Sequence, residues 1–449
     1  MQESALPGGI ARAVRCASKG GEGPLGKVWF SMEMLGTVVV YIVMICAVVG
    51  CAASVIKPES ELGLQWQFGI EAIGSLFLSV AGVWASIPYL KAFISAVFGP
   101  AYAAIGADPA LAATTFIASD MGGYQLAETL AQTYEGWIMA MTTGYMAGAT
   151  IVFTIPVALK MIPKKDQKYL ALGAMSGFLA IPIGVLVTSV ILAFTNPFIR
   201  ETAATNTEAT YQLALTFSQI GINLVPLIII CVALALGLKF KPDAMIKGFM
   251  VFGRVLESAL KIILVLCVVE YFTGFFSSTL GSAWGFDPIL ATEDDLMRCL
   301  EACGATGMML CGAFPMVWLI RKFLAKPLEK LGNTVGLDSD AMTGILAASA
   351  NLLALLAMFK TMKARDKVIT LSFAVCCAFV LGDHLSFTAN FQPTLIVPIM
   401  FGKLVAGICA IAFARWLSVK KAEELEAKDK LLEVGEAARK TVDPALETA

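Results

Sequence analysis

The chain has 449 residues, 58% of them hydrophobic and 15% charged, with a net charge of −1 and a mean hydropathy of +0.77. No soluble core absorbs that much apolar side chain, so the chain reads as an all-α, polytopic integral membrane protein whose first partner is the lipid bilayer. Nucleic acid is excluded as a partner, because a polyanion is held by clustered Lys and Arg, which this chain confines to loops.

Residues 1–33 carry Arg12, Arg15, Lys19 and Lys27 among many glycines and read as a basic, disordered extension rather than a cleavable signal. Apolar runs long enough to cross a bilayer follow at 34–56, 69–98, 109–134, 137–162, 169–194, 213–238, 255–276, 299–324, 341–359, 368–390 and 394–417. Residues 34–417 are therefore the membrane domain, and 418–449, rich in Lys, Glu and Ala, form a charged cytoplasmic tail, expected to be a solvated helix.

Loop charge sets the orientation. Lys160, Lys164, Lys165 and Lys168 make one basic loop, Lys239, Lys241, Lys247 and Arg254 a second, and Arg321, Lys322, Lys326 and Lys330 a third, all expected on the cytoplasmic face. The segments 195–212 and 277–298 are polar to acidic and are expected outside. A fourth basic group, Lys360, Lys363, Arg365 and Lys367, is separated from the third by the single run 341–359. One crossing cannot have cytoplasmic loops at both ends, so 341–359 should dip in and return, with Ala350 and Asn351 near its tip. About ten crossings result, with both termini inside. A faint internal repeat, at an offset of about 200, relates 151–183 to 351–383 and sets Asp166 against Asp366 and Pro182 against Gly382.

Two polar interruptions stand out. Asp120-Met121-Gly122-Gly123 places a carboxylate at membrane depth, where a charge marks a functional site by default. Gly122 and Gly123 let the backbone leave helical geometry, so Asp120 could hold an ammonium group or a coupling cation, with freed carbonyls and the Tyr124 hydroxyl completing the shell. The competing reading is a cap on the helix starting at Tyr124. Gly382-Asp383-His384 contains the only histidine of the chain. On a regular helix Asp383 and His384 point about 100° apart, but after Gly382 the helix need not continue, and a histidine there can change charge between about pH 5 and 8. Its alternative is a structural His-Asp pair. Paired broken helices of this kind are what transporters build around a solute at mid-membrane.

Other polar residues are weaker signals. Asn351 is read as functional, and Asn223 as satisfying the carbonyl freed by Pro226. Glu257 and Lys261 should neutralise each other at i,i+4. Glu270, Glu71 and Glu128 are read as interfacial. The eleven cysteines lie mostly in apolar runs and read as packing residues. No metal-ligand set, cofactor motif or catalytic constellation is present in the sequence, and an intramembrane hydrolase built on Asp383 and His384 would want a nucleophile; an enzyme is not expected.

Taken in order, Asp120-Met121-Gly122-Gly123, the stretch Thr150 through Pro156 to Leu159, Tyr169–Gly173 through Ile181-Pro182-Ile183-Gly184, Ala235 through Lys239 to Phe240, and Leu381-Gly382-Asp383-His384 resemble the EutH family of bacterial ethanolamine permeases. The resemblance runs from about residue 34 to residue 417. It implies a multi-pass protein of the bacterial inner membrane that takes up ethanolamine for catabolism by enzymes in a cytoplasmic microcompartment. Ethanolamine is a small ammonium alcohol, and the chain offers buried carboxylates and neutral polar groups to match it in Asp120, Asp383 and Asn351. The chain departs from the family pattern in residues 1–30, at Gln67-Phe68-Gly69 with Glu71 beyond, and at Leu352 and Ala354. A transporter of another small polar solute, such as a nucleoside or amino acid, and a passive channel or sensor are the alternatives. Coupling to H+ or Na+ and assembly as a homo-oligomer are left open by the sequence.

Overall fold

The computed structural model describes the backbone of residues 24–442 except 294 and 335, and side chains within 34–432 except 294, 325, 328, 331, 333 and 335. The disorder expected for 1–23 falls outside the described residues; from Pro24 onward the chain is helical. Helix α1 spans Pro24–Ile56 and α2 Glu61–Ala85, the latter started by the Ser60 hydroxyl, which accepts from Gly63 N. Short helices α3, Ile87–Val97, and α4, Gly99–Ile105, lead to α5, Ala110–Phe116, and α6, Gly123–Leu130. Helix α7, Tyr134–Thr143, continues through two π-helical turns into α8, Ile155–Met161, and α9 is Gln167–Thr195.

The following loop holds a two-stranded antiparallel ribbon, β1 Phe198–Ile199 with β2 Tyr211–Gln212. Helix α10, Phe217–Phe240, is followed by α11, Pro242–Thr273, which turns by 87° into the short α12, Phe275–Leu280, and its continuation to Ala283. After α13, Cys299–Thr334, come α14, Ser339–Ala350, α15, Leu352–Met358, α16, Ala364–Cys377, α17, Asp383–Phe391, α18, Ile396–Leu417, and α19, Val419–Val442.

Two segments enter the bundle and return. Asp108, just before α5, accepts hydrogen bonds at Oδ2 from Gln132 N and Thr133 N, just after α6, at 3.0 and 3.2 Å. The ends of 109–134 therefore meet, and this run, expected to cross, is a hairpin with Asp120 at its tip. Likewise, a Cβ on Gly344 of α14 would lie 3.1 Å from Leu355 Cδ1 of α15. Eleven residues of continuous helix would hold them about 16 Å apart, so 341–359 folds back at Asn351. Buried backbone of this kind survives only where protein or a cavity surrounds it.

The two hairpins enter from opposite faces. Helix α9 has its first turn beside the base of the second, where Lys367 Nζ lies 3.0 Å from Asp166 Oδ1. Its far end leads to the ribbon loop, whose Ala203 N donates to Glu128 and Ala214 N to Glu135, both at the base of the first hairpin. Helix α19 lies on the basic face, through an ion pair from Asp429 to Lys168. The start of α1 lies on the other face: a Cβ on Gly36 would meet Pro393 O, and Thr394 donates to Phe198 O in the ribbon. The described residues thus begin and end on opposite faces. Among the described residues, seven helices are long and apolar enough to cross, the bent α11 makes an eighth, and the interrupted α16–α17 passes from Lys367 on one face to Gln392, bonded to Arg200, on the other.

Element order repeats at an offset near 230 rather than 200: the helices starting at Ala110, Tyr134 and Gln167 correspond to those starting at Ser339, Ala364 and Ile396. In each half a hairpin is followed by an interrupted helix and then a long helix. The loops matched at Asp166 and Asp366 do meet, through the buried Asp166–Lys367 pair.

Candidate functional site

The interruption between α16 and α17 is shaped by backbone bonding. Phe379 N donates to Ala348 O at 3.1 Å and Leu381 N to Ser349 O at 2.8 Å, so the tip of the second hairpin is stitched to the break. Phe379 takes φ +63°, a left-handed conformation that is unusual for a bulky residue and tends to mark functional backbone. At Gly382 a Cβ would stand 2.3 Å from Ala350 O, so only glycine lets the two segments approach. The break lies about 20 Å from the start of α16, counting rise per residue, close to mid-membrane.

A cavity of about 630 Å3 opens at this junction. Asp383, Asn351, Phe379, Phe153, Glu71 and Arg321 line it. Asp383 is the first residue of α17, and no described cation stands within ion-pair distance of its carboxylate. Asn351 Oδ1 accepts from Leu353 N at 2.8 Å and caps α15, which leaves Nδ2 for the cavity. A second cavity of about 600 Å3 shares Gln65, Phe68, Trp318 and Arg321 with the first and continues to Lys322 on the basic face. The site is open toward that face.

Because α17 is regular from Asp383 onward, its first two side chains diverge. His384 is 1% exposed and packs against the rings of Tyr145 and Phe379 at centroid distances of 4.6 and 5.6 Å. Its Nε2 lies 3.7 Å from Asp120 Oδ2, too far for a hydrogen bond, and neither ring nitrogen has a partner. Asp120 Oδ1 is likewise buried without one. Asp120 is outside the cavity lining and faces His384 from the first hairpin's tip.

The glycines of that tip serve geometry. Gly122 takes φ +91°, and a Cβ on Gly123 would lie 2.6 Å from Ala118 O. The Tyr124 hydroxyl accepts from Gln392 Nε2 at 2.8 Å and its ring stacks on Trp137 at 4.6 Å, so it locks hairpin to bundle and lies outside the cavity lining.

The sequence matches the family described as ethanolamine utilisation protein, EutH, over residues 35–417. The chain belongs to the EutH family. A Listeria monocytogenes protein named "probable ethanolamine permease EutH" is 37% identical over 88% of this chain and 97% of its own length. A protein of the same name from Escherichia coli is 36% identical over 81% and 88%. The uncharacterised protein YxeR of Bacillus subtilis is 33% identical over 85% and 94%. No solved structure matches.

In this EutH chain the sequence reading passed over one charge. Lys403 is fully buried, and its Nζ donates to Tyr145 O at 2.8 Å; the Cys377 thiol donates to Lys403 O at 2.7 Å. It interacts electrostatically with Asp120. The signal was a lone lysine midway through the apolar run 394–417. Asn223 does not serve the carbonyl freed by Pro226. Its Oδ1 accepts from Asp108 N at 2.8 Å and so anchors the base of the first hairpin. Glu257 pairs with Lys261 at 2.8 Å and also with Lys160. Glu270 caps α12 by accepting from Phe276 N and Ser277 N. Glu71, read as interfacial, lines the cavity.

Proposed function

We propose that this chain is an ethanolamine permease of a bacterial inner membrane, with Asp383 as the group that receives the substrate ammonium. One observation carries the reading: a carboxylate at mid-membrane depth faces a cavity, and no described cation is within ion-pair distance of it, Arg321 standing elsewhere in the lining. A charge so placed is costly unless something answers it, and an ammonium ligand does. The buried Lys403 interacts with Asp120, with His384 taken as neutral, and so does not answer Asp383. Phe379 and Phe153 put aromatic side chains, whose π-systems attract an ammonium, in the cavity lining, while Asn351 Nδ2 suits the hydroxyl oxygen. The names of the Listeria and Escherichia relatives support the same substrate.

On this reading the two hairpin tips close the site from opposite faces in turn, and the state seen is open to the cytoplasm. Asp120, outside the cavity lining and facing His384, is the position for a coupling proton or sodium ion. Uptake of labelled ethanolamine into proteoliposomes, with and without imposed sodium and pH gradients, tests both points. Asp383→Asn should raise KM at least about tenfold, as expected for losing a charge-assisted contact of about 1.5–3 kcal/mol. Wild-type KM in that variant would end the assignment.

A further inference from the structure

We infer that the outer face carries a second site for an ammonium alcohol, built by Gln125 and Glu128, where substrate is captured before it reaches Asp383. The inference rests on the reading of the chain as an ethanolamine permease. A cavity of about 390 Å3 lies between α6, the ribbon loop at 202–204 and the segment 287–298. Both loops are on the face opposite the basic one, so this cavity is reached from outside.

Gln125 lines it while only 4% exposed, and neither its Oε1 nor its Nε2 has a hydrogen-bond partner. Buried polar groups are ordinarily paired, and an amide with both ends open is costly to keep. Glu128 is three residues on, hence on the same helical face. Its Oε1 accepts from Ala203 N at 3.0 Å, and no described cation lies within ion-pair distance of the carboxylate. The other acids of the cavity are answered: Arg298 stands 3.7 Å from Asp287 and 3.1 Å from Asp295.

The open valences define the ligand. Glu128 wants a cation. Gln125 wants, at one place, a donor for Oε1 and an acceptor for Nε2, which a hydroxyl supplies together. A metal ion or a simple ammonium answers only the oxygen. A cation with a hydroxyl a few ångströms away fits side chains whose Cβ atoms are about 5–6 Å apart on one helix face. The same hairpin carries Asp120 at its tip, so occupancy here bears on the element that borders the central site. The Tyr124–Gln392 bond and the Tyr124–Trp137 stack tie this hairpin to the bundle.

The test is uptake kinetics of ethanolamine and ethylamine in right-side-out vesicles containing the full chain. Glu128→Gln and Gln125→Met should each raise the external KM for ethanolamine about five- to tenfold, with the maximal rate within about twofold. In Gln125→Met the preference for ethanolamine over ethylamine in external KM should fall, because the outer hydroxyl contact is removed while that of Asn351 at the central site remains. Efflux KM, measured from the inner side, should stay as in the wild type. An unchanged external KM in both variants, or an undiminished hydroxyl preference in Gln125→Met, overturns the outer site. Failure of the parent reading looks different, since the wild type would then show no saturable ethanolamine uptake at all. If Gln125→Met does not reach the membrane, Glu128→Gln, which keeps shape and size, decides the matter.

Discussion

Asp120 Oδ2 and His384 Nε2 lie 3.7 Å apart, joining the tip of the first hairpin to the first turn of α17. The contact joins the two halves of the chain at their shared depth, with buried Lys403 as the third member of the cluster. None of the three lines the central cavity, whereas Asp383, adjacent to His384, does.

This separation predicts different kinetic signatures for the two aspartates. Asp120→Asn should insert and fold, yet lower the maximal uptake rate at least about tenfold while KM moves little, because the charge it removes is not a ligand contact. The loss should be partly reversed in Asp120→Asn/Lys403→Gln, since the double variant does not leave a buried ammonium without its counter-charge. Additive losses in the double variant would rule out the coupling.

Gly382 offers a steric test. Gly382→Ala drives a methyl against Ala350 O and should destabilise the junction by about 1–3 kcal/mol and abolish uptake. Gly74→Ala, with open space around it, should be neutral or slightly stabilising. Thermal unfolding in detergent beside uptake measures both; equal stability of the two variants would mean that the junction has room to adjust.

The faces can be mapped by thiol labelling of sealed cells in a cysteine-free background. Asn206→Cys in the ribbon loop should react from outside and Lys363→Cys should not. A tag at the start of α1 should be reachable from outside, because Gly36 sits beside Pro393 at the ribbon face. Labelling of Lys363→Cys from outside would contradict the second hairpin's orientation.

Asp287, in the segment between α12 and α13, sets a pH dependence. Burial, the largest effect, holds its carboxyl above the usual range; Arg298 opposes this and Asp295 adds to it. The folded state then binds this proton more tightly than the unfolded state does. Its contribution to stability is present below the unfolded value of about 3.9 and is lost as pH rises through the folded one. The melting temperature of the wild type, relative to Asp287→Asn, should fall from about pH 4 toward neutrality. A constant difference would show that the carboxyl is effectively solvated.

Composition and the spacing of apolar runs were enough to read the membrane class, the helices, and the breaks at Gly122 and Gly382, because lipid imposes helical backbone wherever it is met. Loop charge was enough to read the second hairpin, since Lys360 and its neighbours could not share a side with the preceding loop unless 341–359 returned. The first hairpin was illegible by the same means. Residues 109–134 are as long and apolar as a true span, and what turns them back is a bond between Asp108 and Gln132, a relation between chain ends that no local pattern records. The same holds for the site. Asp120, Asp383 and His384 announced themselves by being charged or titratable at depth, but whether each faces a ligand, a ring or another charge depends on how the hairpin tips meet the broken helix. That was decided by Phe379 and Leu381 pairing with Ala348 and Ser349, by Gly382 closing on Ala350, and by Lys403 reaching Tyr145 across the bundle. Hydrophobicity is additive along a sequence, while the facing of a polar group is set by the packing around it.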